Sequence, residues 1–173
     1  NGDSYSLLDI NRAGVPLMET VSEPDMRTPE QAKAYLTELR SILRYIGVST
    51  ANMEKGSFRC DANISIRPKG AKELGPKVEV KNMNSFKAVF NALTFEERRQ
   101  VERAEAGQRI AQETRGWNED RGVTSSQRSK EGESDYRYFP DPDLPPVTIQ
   151  RQWVEEIAAS LPELPAARRR RFV

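Results

Sequence analysis

Residues 59–68 read RCDANISIRP and residues 77–86 read KVEVKNMNSF. In the first stretch Cys60, Ala62, Ile64 and Ile66 alternate with Arg59, Asp61, Asn63, Ser65 and Arg67; in the second, Val78 and Val80 alternate with Lys77, Glu79 and Lys81. Successive side chains of an extended chain point to opposite faces, so each stretch is predicted to be a strand with one apolar and one polar side. The connector between them, PKGAKELGP at 68–76, carries Pro and Gly at both ends and suits an antiparallel connection. If the two apolar sets share one core, Asp61 and Glu79 sit on neighbouring strands and face the same way.

Helices flank this pair. Thr28, Pro29 and Gln31 form a T-x-x-Q capping signal with Pro at the first helical position, where its missing N–H costs nothing. Apolar residues from Ala32 to Ile46 then recur at helical spacing, and Gly47 is placed to end the run. A second amphipathic helix is predicted from about Ser85 to Ala106, with Phe86, Val89, Phe90 and Leu93, then Val101 and Ala104, turned inward. RIAQETRGW and GVTSSQRSK, separated by NEDRG, read as another antiparallel pair. Upstream, residues 5–10 and 17–25 are expected to be short strands on either side of a turn at 11–16. The aromatic, Pro-rich stretch 135–149 is extended, with Tyr136, Tyr138 and Phe139 either strapping the sheet edge or stacking on bases. Residues 153–161 form a short helix, and 161–173 begin another. The expected class is α+β, an antiparallel sheet covered by two long helices.

The composition narrows the chemistry. Charged residues make up 31% of the 173 and apolar ones 36%, with a net charge of +1, so neither bulk charge nor apolar run-length points to a membrane. With no histidine, this chain by itself cannot build a Ser-His-Asp triad or an HExxH zinc site. One cysteine excludes an internal disulfide. The chain opens on Asn1 and closes on a basic run, neither of which reads as a natural terminus; the expectation is a piece of a longer protein.

Carboxylates, amides, Lys and Arg remain. Asp61 and Glu79 with Asn63 offer oxygen donors to Mg²⁺, which takes one or two carboxylates beside phosphate oxygens, and Arg59, Arg67 and Lys81 could neutralise those phosphates. Exposed cross-strand ion pairs are also common, so spacing leaves open a solvated face or a binding floor. No P-loop or GxGxxG motif is present. Arg168 to Arg171 either contact RNA phosphates or form a solvated helix face.

Five strings, DINRAGVPLMETVSEPD, MEKGSFRCDANISIRP, KVEVKNMNSF, QETRGW and DYRYFPDPDLPP, with PELP at 162–165, occur here in one order. Together they resemble the B subunit of the tRNA-dependent amidotransferase. The resemblance implies a fold related to the glutamine synthetase and guanidino kinase catalytic domains, with residues 1–149 the C-terminal part of the catalytic cradle and 150–173 the start of a helical segment. It implies ATP and Mg²⁺ as cofactors. ATP phosphorylates the side-chain carboxylate of Glu-tRNA(Gln) or Asp-tRNA(Asn), and ammonia delivered from the amidase, or A, subunit displaces phosphate, while the C subunit clamps the other two together. The metal-binding carboxylates of the family fall on Asp61 and Glu79. Lys81, Asn82 and Asn84 are implied neighbours in that pocket, and Arg59, Asn63, Ser65 and Arg67 are expected on the nucleotide side.

The implied compartment is the cytoplasm of a bacterium or archaeon, or an organellar matrix or stroma. The family's further metal-ligand segments, GLEVH-like and HMEEDAGK-like, and its zinc-knuckle cysteines do not occur in these residues, so the isolated piece is expected to be inactive. The competing reading is a scaffold that docks tRNA or the amidase subunit without taking part in catalysis.

Overall fold

In the computed structural model, which describes residues 6–7, 10, 14–129 and 142–173, the stretches at 59–68 and 77–86 contribute adjacent strands. β1 (Ala62–Ile64) runs antiparallel to β2 (Val78–Lys81), pairing Ala62 with Val80 and Asn63 with Glu79. The alternation holds: Val78 and Val80 have no exposed surface, while Glu79 and Lys81 are half-buried on the other side. The regular pairing of β1 is only three residues long, so Asp61 and Ser65 lie just past its two ends.

α2 (Phe86–Glu105) follows, capped by Ser85, whose hydroxyl accepts the N–H of Ala88. Its stripe of Ala88, Val89, Ala92 and Leu93 joins Val78, Val80, Met83 and Trp117 in the core. Further along, the buried positions are Glu96 and Gln100, whereas Val101, expected inward, is exposed, as is Ala104. The apolar stripe thus gives way to a polar one where α2 meets charged partners on the sheet.

β3 (Glu113–Asn118) and β4 (Val123–Ser129) form the expected antiparallel pair, giving the order β1-β2-β3-β4. The sheet is nevertheless mixed, not antiparallel throughout: β2 and β3 are parallel, with Glu79 opposite Thr114 and Lys81 opposite Gly116. The reason is α2 itself, which carries the chain back along the sheet so that β3 sets off in the direction of β2.

α1 (Pro29–Tyr45) starts at Thr28, whose hydroxyl accepts the N–H of Gln31; the reciprocal bond comes from Arg27 N–H to Gln31 Oε1, one residue earlier than a standard capping box. Gly47 ends the run with a left-handed φ of 74°. α1 packs chiefly on α2, sending Leu36 into the core, so α2 is the main cover of the sheet. α3 (Arg151–Ser160) and α4 (Pro165–Phe172) match the expected C-terminal helices and bury no residue.

Residues 17–25 are not a strand. Leu17 and Val21 are 92% and 83% exposed, and no neighbouring strand receives the backbone among the described residues. Most of residues 5–13, and residues 135–141 with Tyr136, Tyr138 and Phe139, lie outside the described residues.

Candidate functional site

β1 and β2 bring Asp61 and Glu79 onto the face away from α2, and Lys81 lies between them. Its Nζ is 3.1 Å from Asp61 Oδ2 and 3.3 Å from Glu79 Oε1. The hydrogen bond to Asp61, working against partial burial and helped by both carboxylate charges, raises the lysine's pKa above its ordinary value and keeps it an ammonium. Glu79 is the better-enclosed acid, with a side chain 17% exposed against 53% for Asp61. From β3, the Thr114 hydroxyl donates to Glu79 Oε2 at 3.0 Å. Asn63, opposite Glu79 in the register, completes the group.

The remaining predicted residues occupy other surroundings. Arg67 turns back to donate from Nη1 to the Lys72 carbonyl at 2.8 Å. Arg59 is exposed and Ser65 half-buried, each beyond an end of β1. Asn82 adopts a left-handed φ of 64° and donates Nδ2 to the Trp117 carbonyl at 2.9 Å, fastening the end of β2 to β3. Asn84 lines a separate hollow of about 210 Å³ with Arg40, Asn52 and Glu54, beside the start of α2. The Arg40 guanidinium is 5.7 Å from the centroid of the Phe86 ring. Cys60 faces the core side, where burial first and the Asp61 charge second push its thiol up to about 11, so it is no nucleophile near neutral pH.

On the α2 side of the sheet lies a cluster that sequence patterning did not single out. Glu96, fully buried, accepts from Arg99 Nε at 2.9 Å, from Gln100 Nε2 at 3.2 Å and from the Thr124 hydroxyl, with Arg115 Nε also 2.9 Å away. Burial raises its pKa, but the bonds from Arg99, Thr124 and Gln100 and the Arg99 charge outweigh that and hold it below the ordinary carboxylate value. The available signal was Glu96 and Gln100 continuing the apolar spacing of Leu93, a pattern that marks a buried polar stripe. Thr114, 3% exposed, was visible only as part of QETRGW.

Residues 1–155 match the GatB/GatE catalytic domain family. The chain belongs to that family. Among GatB/GatE relatives, the B subunit of the aspartyl/glutamyl-tRNA(Asn/Gln) amidotransferase of Dehalococcoides mccartyi strain CBDB1 is 68% identical over all 173 residues, which cover 35% of the relative. The protein of the same name from Carboxydothermus hydrogenoformans is 63% identical over 169 residues, covering 98% of this chain and 35% of the relative. This GatB/GatE chain therefore spans about a third of the length of the curated relatives it matches. No helix among the described residues is long and apolar enough to cross a membrane.

Proposed function

We propose that this chain supplies one wall of an ATP- and Mg²⁺-dependent site in a tRNA amidotransferase, the site that activates the side-chain carboxylate of Glu-tRNA(Gln) or Asp-tRNA(Asn) for amidation. The observation that carries the reading is the Lys81 ammonium set between Asp61 and Glu79, a cation already seated between paired carboxylates. The donor chemistry fits Mg²⁺: carboxylate oxygens, an amide oxygen on Asn63, and room for water and phosphate oxygens on an exposed face. Among the described residues no group of three or more acidic, His or Cys side chains is placed to hold a metal, so the ion would take its remaining ligands from water, nucleotide and residues elsewhere in the full-length protein.

Asp61 and Glu79 would hold the ion, which when bound supplies charge neutralisation at the transferring phosphoryl group. Lys81 would release the carboxylates and turn its ammonium to the phosphate oxygens, a role its partial exposure permits. Asn63 of β1, with Arg59, Ser65 and Arg67 beyond the ends of that strand, would contact the nucleotide, and Asn82 and Asn84, just past the end of β2, would neighbour the same pocket. No histidine base is required, because the attacking substrate carboxylate is ionised at neutral pH. The carboxylate oxygen attacks the γ-phosphorus, ADP leaves, and ammonia then adds to the acyl carbon and expels phosphate. In this reading ammonia comes from the amidase subunit, with the C subunit joining it to the present one. The glutamine synthetase-like ancestry of the sheet, and the division into a cradle at 1–149 and a helical segment from 150, belong to the same proposal.

Asp61→Asn and Glu79→Gln in the full complex test it. Each is expected to reduce ATP-dependent amidation on the order of 10²-fold while glutamine hydrolysis persists. Normal amidation by both variants would remove the metal role and favour a docking scaffold. The 173-residue chain by itself is expected to form no acyl phosphate; a measurable burst of ADP dependent on misacylated tRNA would contradict that.

A further inference from the structure

The buried cluster behind the sheet has no part in the chemistry above, yet it is tied to the polar face. Arg115 donates Nε to Thr124 Oγ1, Nη2 to the Thr124 carbonyl and Nη1 to Glu113 Oε1, each at 2.8 Å, while Glu96 of α2 fixes the same guanidinium at 2.9 Å. The two bonds to Thr124 clamp β3 to β4, and that to Glu96 ties the pair to α2, beside the point where the β3–β4 register slips. Thr114 pairs with Arg128, but Arg115 pairs with Ser126, leaving Gln127 as an extra residue. Such a bulge re-aims the side chains around it.

The two residues flanking Arg115 both face the candidate site. Thr114, just before it, donates to Glu79 Oε2. Gly116, just after it and opposite Lys81, lies under the Gln127 side chain, and a Cβ there would collide with Gln127 Nε2. A buried ion pair is weak as a stabiliser compared with apolar groups of similar volume. What a carboxylate held by two guanidiniums does supply is a single position for the backbone that carries one of them.

We propose that Glu96 is a positioning residue for Glu79: through Arg115 and the β3–β4 bulge it sets Thr114 so that its hydroxyl holds the Glu79 carboxylate in one orientation. The inference rests on the reading that Glu79 binds Mg²⁺. It predicts an effect on metal dependence from a residue on the opposite side of the sheet.

The test uses the full-length protein in its complex: Mg²⁺ binding is titrated by calorimetry without turnover, and ATP-dependent amidation is measured against Mg²⁺ concentration so that kcat and half-saturating Mg²⁺ are read separately. Thr114→Val is expected to raise half-saturating Mg²⁺ by about tenfold, in the range found when a group supporting a metal ligand is lost, and Thr114→Ser to restore it. Glu96→Gln and Arg115→Lys shift it the same way. Each combined with Thr114→Val gives no more than Thr114→Val alone, because the effects share one path. Lower stability without a change in half-saturating Mg²⁺ would overturn the inference, as would double variants whose effects multiply. If Glu96→Gln does not fold, Arg115→Lys with and without Thr114→Val decides the matter. Failure of the underlying reading is separately visible: Glu79→Gln with unchanged Mg²⁺ dependence removes the metal role itself.

Discussion

Lys81 is both the neutralising partner of Asp61 and Glu79 and their competitor for any metal. Replacing it with Met is expected to tighten Mg²⁺ binding in the absence of ATP, measured by titration calorimetry on the full complex, while slowing the ATP-dependent step by about tenfold or more. Unaltered Mg²⁺ affinity would mean that the ammonium does not occupy the ion's position. Glu96 gives a second test, on stability. Its folded pKa lies below the 4.5 of an ordinary glutamate, so the stability it contributes is fully present above that value and is lost as pH falls through the folded pKa. Glu113, burial-raised but lowered further by Ser126 and Arg115, acts in the same direction. Glu96→Gln should therefore flatten the acid limb of the stability profile, read as denaturation midpoint against pH below about 5. Of the site, the sequence made Asp61, Asn63, Glu79 and Lys81 legible because period-two alternation fixes a face. It could not reveal that Asn82 is engaged by Trp117 or that Thr114 supports Glu79, since both bonds span 35 residues of chain.

At the level of elements, α2 does most to fix the fold. It is the crossover that makes β2 and β3 parallel, and it carries both the apolar stripe and the buried carboxylate. Arg115→Met leaves Glu96 with one guanidinium fewer in a dry environment and is expected to cost about 3–5 kcal/mol in denaturant unfolding, the range for breaking one side of a buried pair. Thr28→Ala removes only a cap at the start of α1 and should cost about 1 kcal/mol. α4 offers a contrast. Three arginines of its basic run have partners within the chain: Arg168 donates to Tyr45 Oη at 2.7 Å, Arg169 to Glu38 at 3.0 Å and Arg171 to Glu163 at 2.9 Å. The first two join α4 to α1 and the third returns to the segment just before α4; all are exposed and weak, so they do not close the run to an RNA phosphate.

Across the whole molecule, burial is concentrated between α2 and the sheet, while α3 and α4 bury nothing and Trp153 is 53% exposed. Hydrogen exchange is accordingly expected to be slowest for the amides of α2 and β2 and fastest among the helices for α3 and α4, with uniform protection counting against this division. Both long helices, the antiparallel β1–β2 and β3–β4 pairs and the two C-terminal helices were determined by the sequence, because capping residues, hydrophobic period and turn chemistry act over a few residues. So was family membership, because its motif strings occur in order. Tertiary structure alone decided three things: the parallel β2–β3 pairing, the failure of residues 17–25 to form a strand, and the junction of Glu96 with Arg115 behind Thr114. Strand direction, strand partnership and buried charge pairing each depend on residues brought together from distant parts of the chain, and no local pattern encodes which will meet.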